Sequence, residues 1–237
     1  MSAPSLACAA VADLAEFIAL DATCTDHLGT TKAVVHSTSM MRKLLLDAKH
    51  SFSARNRRRK ADFAIDFGRR HGVASVLLVG VDRDIHAATR ATPTTNQVER
   101  AIAAAFPSAV ATGLAETASG WTRYLCADAL DLPFSDGEFD LVYSNAVIEH
   151  VGQFEEQLAF VREHARVGKH WVFTTPNRLF PIESHTLTIA RHMNPRWRPP
   201  RSAYTRLLSR GDLVELLPPT ARIHGRIFSP TFTVSSG

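Results

Sequence analysis

Two histidines stand where alternating strands and helices would place catalytic groups. His150 follows the apolar run of residues 139–144, and His185 follows the run of residues 170–175 in a loop that also contains Glu183. Histidine takes up a proton near neutral pH, so each could deprotonate an oxygen or nitrogen nucleophile. For His150 a structural role, capping or packing the start of the next helix, stays open, whereas the loop position of His185 favours a functional role.

A second set of residues follows the other apolar runs and could bind a ligand. Carboxylate and amide groups form hydrogen bonds, and glycine lets the backbone approach a ligand closely. Asp128 also has a simpler interpretation, as a turn-forming residue. The set comprises Gly80, Asp82, Glu116, Asp128, Ala129, Leu130 and Asn145.

We predict no metal site and no disulfide framework. Glu183 and His185 are potential ligands one residue apart, and no third ligand accompanies them. The cysteines number three, and no pair has the C-x-x-C spacing of a zinc site. This usage suits a reducing compartment, and we expect a cytoplasmic protein. The cysteines are Cys8, Cys24 and Cys126.

The chain has 237 residues, 45% of them hydrophobic, and a net charge of +4. A basic run at residues 55–60 predicts either a solvated helix face or a contact with an anionic partner. A looser cluster of arginines over residues 191–210 could hold an anionic substrate. This charge is too thinly spread for a dedicated nucleic-acid binder. The sequence does not indicate an oligomeric state.

The elements that would position these residues form an α/β fold. Short apolar runs alternate with helical patterns over residues 71–237, which predicts a doubly wound, mostly parallel sheet closed by an antiparallel hairpin near the carboxyl terminus. Residues 1–70 predict a helical cap, so the chain is interpreted as a single domain with cap and core. Residues 1–20 read as an amphipathic helix rather than a signal peptide, and no apolar run reaches the ~18–20 residues of a membrane span.

Three segments in a fixed order resemble the class I S-adenosylmethionine-dependent methyltransferases, in particular the small-molecule type 11 group. They are the strand of residues 75–80, the Cys-Ala-Asp-Ala-Leu-Asp-Leu-Pro-Phe stretch of residues 126–134 with the Phe-Asp-Leu-Val-Tyr-Ser-Asn strand of residues 139–145, and the Glu-His pair within residues 146–151. The resemblance implies a Rossmann-like sheet and S-adenosylmethionine as the cofactor.

The resemblance also implies roles for single residues. Asp128 matches the acid that accepts a hydrogen bond from the adenine amino group, and Ala129 and Leu130 would supply an amide and an apolar contact to the ring. Asn145 matches a position that lines the methionine portion of the cofactor.

The sequence departs from the family at its first motif. Gly80 is present, but Asp82 and Asp84 occupy the usual second and third glycine positions, and Leu78 replaces the usual acid. Glu116, the nearest match to the ribose-binding acid, lies a few residues late. Two functions are therefore expected: a methyltransferase acting on a small molecule or a cell-envelope precursor, or a catalytically inactive binding or scaffold domain. A nicotinamide-dependent enzyme is excluded by the missing G-x-G-x-x-G.

Overall fold

The computed structural model describes residues 31–82, 96–180 and 205–237, the first twenty of them by backbone alone. The chain divides into two units between residues 53 and 54. Of the first unit, the structure describes residues 31–53, which are helical. The second unit holds the sheet and every side-chain contact given below.

Helix α1 (Thr31–Arg70) is continuous over 40 residues. The sequence pattern predicts two separate helices there, around residues 40–48 and 63–67, and that prediction is wrong. The intervening residues include neither Gly nor Pro, so nothing interrupts the backbone hydrogen bonds. The chain leaves the helix at Gly72, whose φ of 66° lies in the left-handed region. Within the described residues, none of the helices has the apolar length that a bilayer crossing demands.

Seven strands form one sheet in the order β3-β2-β1-β4-β5-β7-β6. The first five in this order are parallel, β7 runs antiparallel to β5, and β6 runs antiparallel to β7. The predicted doubly wound sheet with its antiparallel closing hairpin is confirmed. The remaining elements are β1 (Ser75–Val79), α2 (Gln97–Ala105), β2 (Ser108–Gly113), β3 (Tyr124–Cys126), β4 (Phe139–Asn145), α3 (Phe154–Val167), β5 (Gly168–Pro176), α4 (Arg210–Leu216), β6 (Arg222–His224) and β7 (Thr231–Ser235).

Both faces of the sheet are buried, which explains why the central strands are continuous apolar runs. Alternate residues along each strand point to opposite faces. Leu77 and Phe173 pack in the core that contains Phe160 of α3. Leu78 packs in the opposite core with Phe67 of α1. Because β3, β2, β1, β4 and β5 pair in parallel, their carboxyl ends lie at one common edge of the sheet.

Candidate functional site

A cavity of about 660 Å³ opens at the carboxyl ends of β1, β2, β3 and β4. The strand order reverses direction between β1 and β4, and ligands of open α/β sheets bind at such a point. The cavity is lined by Gly80, Val81, Asp82, Asn96, Glu99, Gly113, Leu114, Ala115, Ala127, Asp128, Ala129, Leu130, Asn145, Ala146, Val147, His150 and Val151.

The structure brings most of the candidate residues named from the sequence to this cavity. Glu116 is the exception among the described candidates: it is exposed and is not among the lining residues. His185 and its neighbour Glu183 lie outside the described residues. The candidates that line the cavity are Gly80, Asp82, Asp128, Ala129, Leu130, Asn145 and His150. Their individual roles stay predictions.

Two glycines allow the backbone to come close at the centre of the cavity. Gly80 has a φ of 80°, and a Cβ placed there would lie 2.3 Å from a methyl carbon of Val147. A Cβ at Gly113 would lie 2.2 Å from the carbonyl oxygen of Val81. This close contact explains why residue 80 is a glycine even though the other glycines of the first motif are absent. Sequence reasoning missed Gly113, which read only as part of a strand.

Asp128 both lines the cavity and organises the turn after β3. Its Oδ1 accepts a hydrogen bond from the backbone N–H of Leu130 at 3.0 Å. The simple turn interpretation and the ligand-binding interpretation are therefore compatible, since one carboxylate oxygen can hold the turn while the other serves a ligand.

Arg166 fastens this wall of the cavity to helix α3. Its guanidinium donates to the carbonyl oxygens of Leu132 and Phe134 at 2.9 and 2.8 Å and to Glu163 at 2.7 Å. Glu163 in turn accepts from the Leu132 N–H at 2.9 Å. The hydrogen bonds from Arg166 hold the pKa of the Glu163 carboxyl below its ordinary value. The segment that follows Asp128 is thus fixed by charge-assisted bonds.

At the opposite end, the side chain of Asn145 lies at the centre of a polar cluster. Its Oδ1 accepts hydrogen bonds from Lys60 Nζ at 2.9 Å and from Thr174 Oγ1 at 2.8 Å. Its Nδ2 donates to Glu99 Oε1 at 3.0 Å. Since an ammonium can only donate and a carboxylate only accept, these partners set the orientation of the amide.

Burial shifts the proton affinities of both charged members of this cluster. Desolvation lowers the pKa of Lys60 to about 8, although the nearby Glu149 and Glu99 oppose that shift. Desolvation raises the pKa of Glu99, whose side chain is 6% exposed. The cluster therefore holds two titratable groups where water solvates them poorly, and such shifted pKa values are common in functional sites.

Lys60 and Glu99 were not found by sequence reasoning. The basic run of residues 55–60 predicts a solvated face, and Arg55, Arg58 and Arg59 are indeed exposed, but Lys60 turns toward the sheet. A signal for Glu99 did exist: it lies three residues before the buried Ile102, which places a carboxylate within an apolar helix face.

His150 is exposed and faces the cavity mouth. Its Nδ1 lies 3.4 Å from Thr205 Oγ1. His150 does not cap the next helix, because Gln153 is the N-cap of α3, and the packing alternative stays open. Among the residues that the structure describes, no group of three His, Cys, Asp or Glu side chains could hold a metal ion.

The described members of the second arginine cluster bind protein groups. Arg206 donates to Gln157 and lies 3.4 Å from Asp212, and Arg210 lies 3.5 Å from the carbonyl oxygen of Ile223. The other arginines of that cluster are outside the described residues, so an anionic substrate stays a prediction.

Comparison with known proteins gives one family match. Residues 68–171 match the family described as "Methyltransferase domain". A solved S-adenosylmethionine-dependent methyltransferase from Clostridium acetobutylicum is similar at 11% identity over 74% of this chain and 89% of that one, with a TM-score of 0.49. A methyltransferase from Mesorhizobium loti is similar at 15% identity over 69% of this chain and 91% of that one, with a TM-score of 0.45. One from Archaeoglobus fulgidus is similar at 13% identity over 74% of this chain and 93% of that one, with a TM-score of 0.43. These structural likenesses are distant, and the family match covers residues 68–171, less than half of the chain.

Proposed function

We propose that residues 68–171, which match the family described as "Methyltransferase domain", form a class I S-adenosylmethionine-dependent methyltransferase domain, and that the protein methylates a small molecule or a cell-envelope precursor. The observation that carries the proposal is the cavity at the sheet edge, which gathers Gly80, Asp128, Asn145 and His150. Its volume of about 660 Å³ lies in the range of sites that enclose small ligands.

The residues present suit the shape and chemistry of the cofactor. The cavity runs from β3 to β4, three strand spacings or roughly 14 Å. One end offers the Asp128 carboxylate and the half-buried Leu130, which suit a flat ring with an exocyclic amine. The other end offers the Glu99 carboxylate and the Asn145 amide, which suit an amino acid group.

When bound, S-adenosylmethionine supplies a methyl group already activated on its sulfonium sulfur. The residues of this chain then have two tasks, to align the acceptor and to remove its proton. We assign the second task to His150, because it is exposed and lines the cavity. We assign the same general role to His185 as a prediction from sequence.

The second candidate function is a binding or scaffold domain without catalysis. One observation favours it: Asp82 lines the cavity where the family has a glycine, so a carboxylate stands near the cofactor's path. Such a site would keep the fold but bind S-adenosylmethionine weakly.

Thermal-shift titrations with S-adenosylmethionine and S-adenosylhomocysteine separate the two functions. A ligand specific for the folded state stabilises it by about 2.7 kcal/mol at 100 times its Kd. The methyltransferase predicts a concentration-dependent rise in Tm with both compounds. No rise with either would favour the scaffold. Asp128→Asn, which keeps an acceptor for the Leu130 N–H, is the matched variant and should reduce the rise.

A further inference from the structure

A buried carboxylate beside the cavity has no part in the acid–base chemistry described above. Glu99 lies on α2, is 6% exposed, and lines the cavity with Asn145. Burying a carboxylate is costly unless hydrogen bonds or a cation compensate. The cation that compensates the Glu99 carboxylate therefore has to be identified.

Lys60 supplies only part of the compensation. The Asn145 amide lies between the two charged groups, accepting from Lys60 at 2.9 Å and donating to Glu99 at 3.0 Å. The ammonium of Lys60 therefore meets Asn145 Oδ1, and it is not among the groups that line the cavity.

Thr174 completes the support of Asn145. Its hydroxyl donates to Asn145 Oδ1 at 2.8 Å, so that oxygen accepts two hydrogen bonds from the protein. The amide nitrogen must then face Glu99 and the cavity. An amide donor and a carboxylate acceptor are thus held side by side at the end of the cavity opposite Asp128.

We propose that Glu99 binds the α-ammonium group of the cofactor, with Lys60 and Thr174 as positioning residues that hold Asn145 beside it. The inference rests on the proposed function, because it concerns how the same cavity recognises its ligand. A carboxylate selects a cation, and the ammonium is the cationic group at the amino acid end of S-adenosylmethionine and S-adenosylhomocysteine alike. The uncharged adenosine half gains nothing from Glu99.

Isothermal titration calorimetry with three ligands tests this assignment. S-adenosylhomocysteine carries both the ammonium and the carboxylate, its decarboxylated analogue keeps only the ammonium, and methylthioadenosine lacks both. Glu99→Gln keeps the shape of the side chain and an oxygen for Asn145 Nδ2, but removes the charge. It should weaken the first two ligands by roughly 10- to 100-fold and leave methylthioadenosine unchanged.

Glu155→Gln is the matched control, since Glu155 is exposed on α3 outside the cavity, and it should change none of the affinities. Glu99→Asp is the second variant if Glu99→Gln does not fold. It keeps the charge on a shorter side chain, so it should weaken only the two ammonium-bearing ligands, and by less.

Three results would overturn the assignment. If Glu99→Gln weakens all three ligands equally, Glu99 shapes the cavity and does not read the ammonium. If it weakens none, or if the decarboxylated analogue alone is unaffected, the cation lies elsewhere. If the unaltered protein binds none of the three ligands, the proposed function fails together with the inference, and this outcome is distinct because it precedes any substitution.

Discussion

The side chain of Asn96 pairs with the backbone of Asp82 through two hydrogen bonds. Its Oδ1 accepts from the Asp82 N–H at 3.1 Å, and its Nδ2 donates to the Asp82 carbonyl oxygen at 2.8 Å. Asn96 has a φ of 56°, in the left-handed region that asparagine tolerates better than most residues. Because α2 begins at the next residue, this pair fixes the end of β1 relative to the helix that carries Glu99.

Asn96→Gly should open this connection. Glycine accepts the positive φ, so the variant loses the two hydrogen bonds without new backbone strain. We expect the free energy of unfolding to fall by roughly 1 kcal/mol and the affinity for S-adenosylhomocysteine to fall with it. Denaturant titration and calorimetry measure the two effects. Asn96→Ala adds the cost of a left-handed alanine, ~1 kcal/mol, and should be less stable still. An unaltered affinity would show that the pair does not shape the cavity.

Asp128→Ala should weaken cofactor binding by ~1.5–3 kcal/mol, the value of a hydrogen bond to a charged group. The structure adds a second effect, since the alanine also removes the acceptor of the Leu130 N–H. Asp128→Asn keeps that acceptor, so comparing the two variants by calorimetry separates the turn from the ligand contact. If Asp128→Ala binds S-adenosylhomocysteine as tightly as the unaltered protein, the adenine assignment is wrong.

His150→Gln should reduce the rate of methyl transfer 10²- to 10⁴-fold, the usual contribution of a general base. The measurement is transfer of a labelled methyl group from S-adenosylmethionine to a small-molecule extract. Affinity for S-adenosylhomocysteine should change little, because the proton comes from the acceptor. A rate equal to that of the unaltered protein would assign the proton transfer to another group.

Gly80→Ala should destabilise the fold more than Gly72→Ala. Both glycines have positive φ, 80° and 66° respectively, so both variants incur the left-handed strain. Only the Cβ at residue 80 meets a neighbour, Val147, whereas that at residue 72 has nothing within 4 Å. Overpacking costs typically ~1–3 kcal/mol, and denaturant titration should show that difference between the variants. Equal losses would mean that Val147 moves aside freely.

The stability of the protein should decline in acid partly through His164. This side chain is 0% exposed; its Nδ1 lies 2.9 Å from the Phe160 carbonyl oxygen and its Nε2 lies 3.1 Å from Ser144 Oγ. The Nδ1 must therefore carry the hydrogen, and Nε2 accepts from the hydroxyl. Burial lowers the pKa of His164 from 6.5 to about 4 because the cation is poorly solvated.

This shift has a definite sign. Between pH 6.5 and 4 the unfolded chain takes up a proton at residue 164 that the folded protein does not, so stability falls as the pH falls. The full contribution is about 3 kcal/mol at 1.36 kcal/mol per pKa unit. His164→Gln should lose this part of the slope of unfolding free energy against pH. An unchanged slope in that window would assign the acid sensitivity to the carboxylates alone.

The sequence predicted well which residues lie at the sheet edge, because each strand can be recognised from its own short apolar run. Each parallel strand is an apolar run, and the residues after the runs meet at one edge whatever the details of packing. Six of the seven proposed cofactor residues line the cavity for this reason. Glu116 does not, because β2 ends at Gly113 and the chain turns outward before residue 116.

The parts of the site that sequence reasoning missed come from helices. Lys60 is one of five basic residues within residues 55–60, and only packing decides which of them turns toward Asn145. The sequence pattern also did not predict that α1 is one continuous helix, because the polar residues in its middle lack the apolar spacing that indicates a helix. Glu99 could be noticed as a carboxylate within an apolar helix face, but only its contact with Asn145, forty-six positions away, links it to the cavity.

Arg166 has a consequence for how a ligand would be received. Its bonds tie the segment after Asp128 to a helix that is itself packed into the core, so this wall cannot relax unless α3 moves. An incoming ring would meet a surface already in its bound shape and would immobilise few further groups. Because folding has already ordered this wall, ligand binding loses little further conformational entropy. A few contacts can then give a useful affinity.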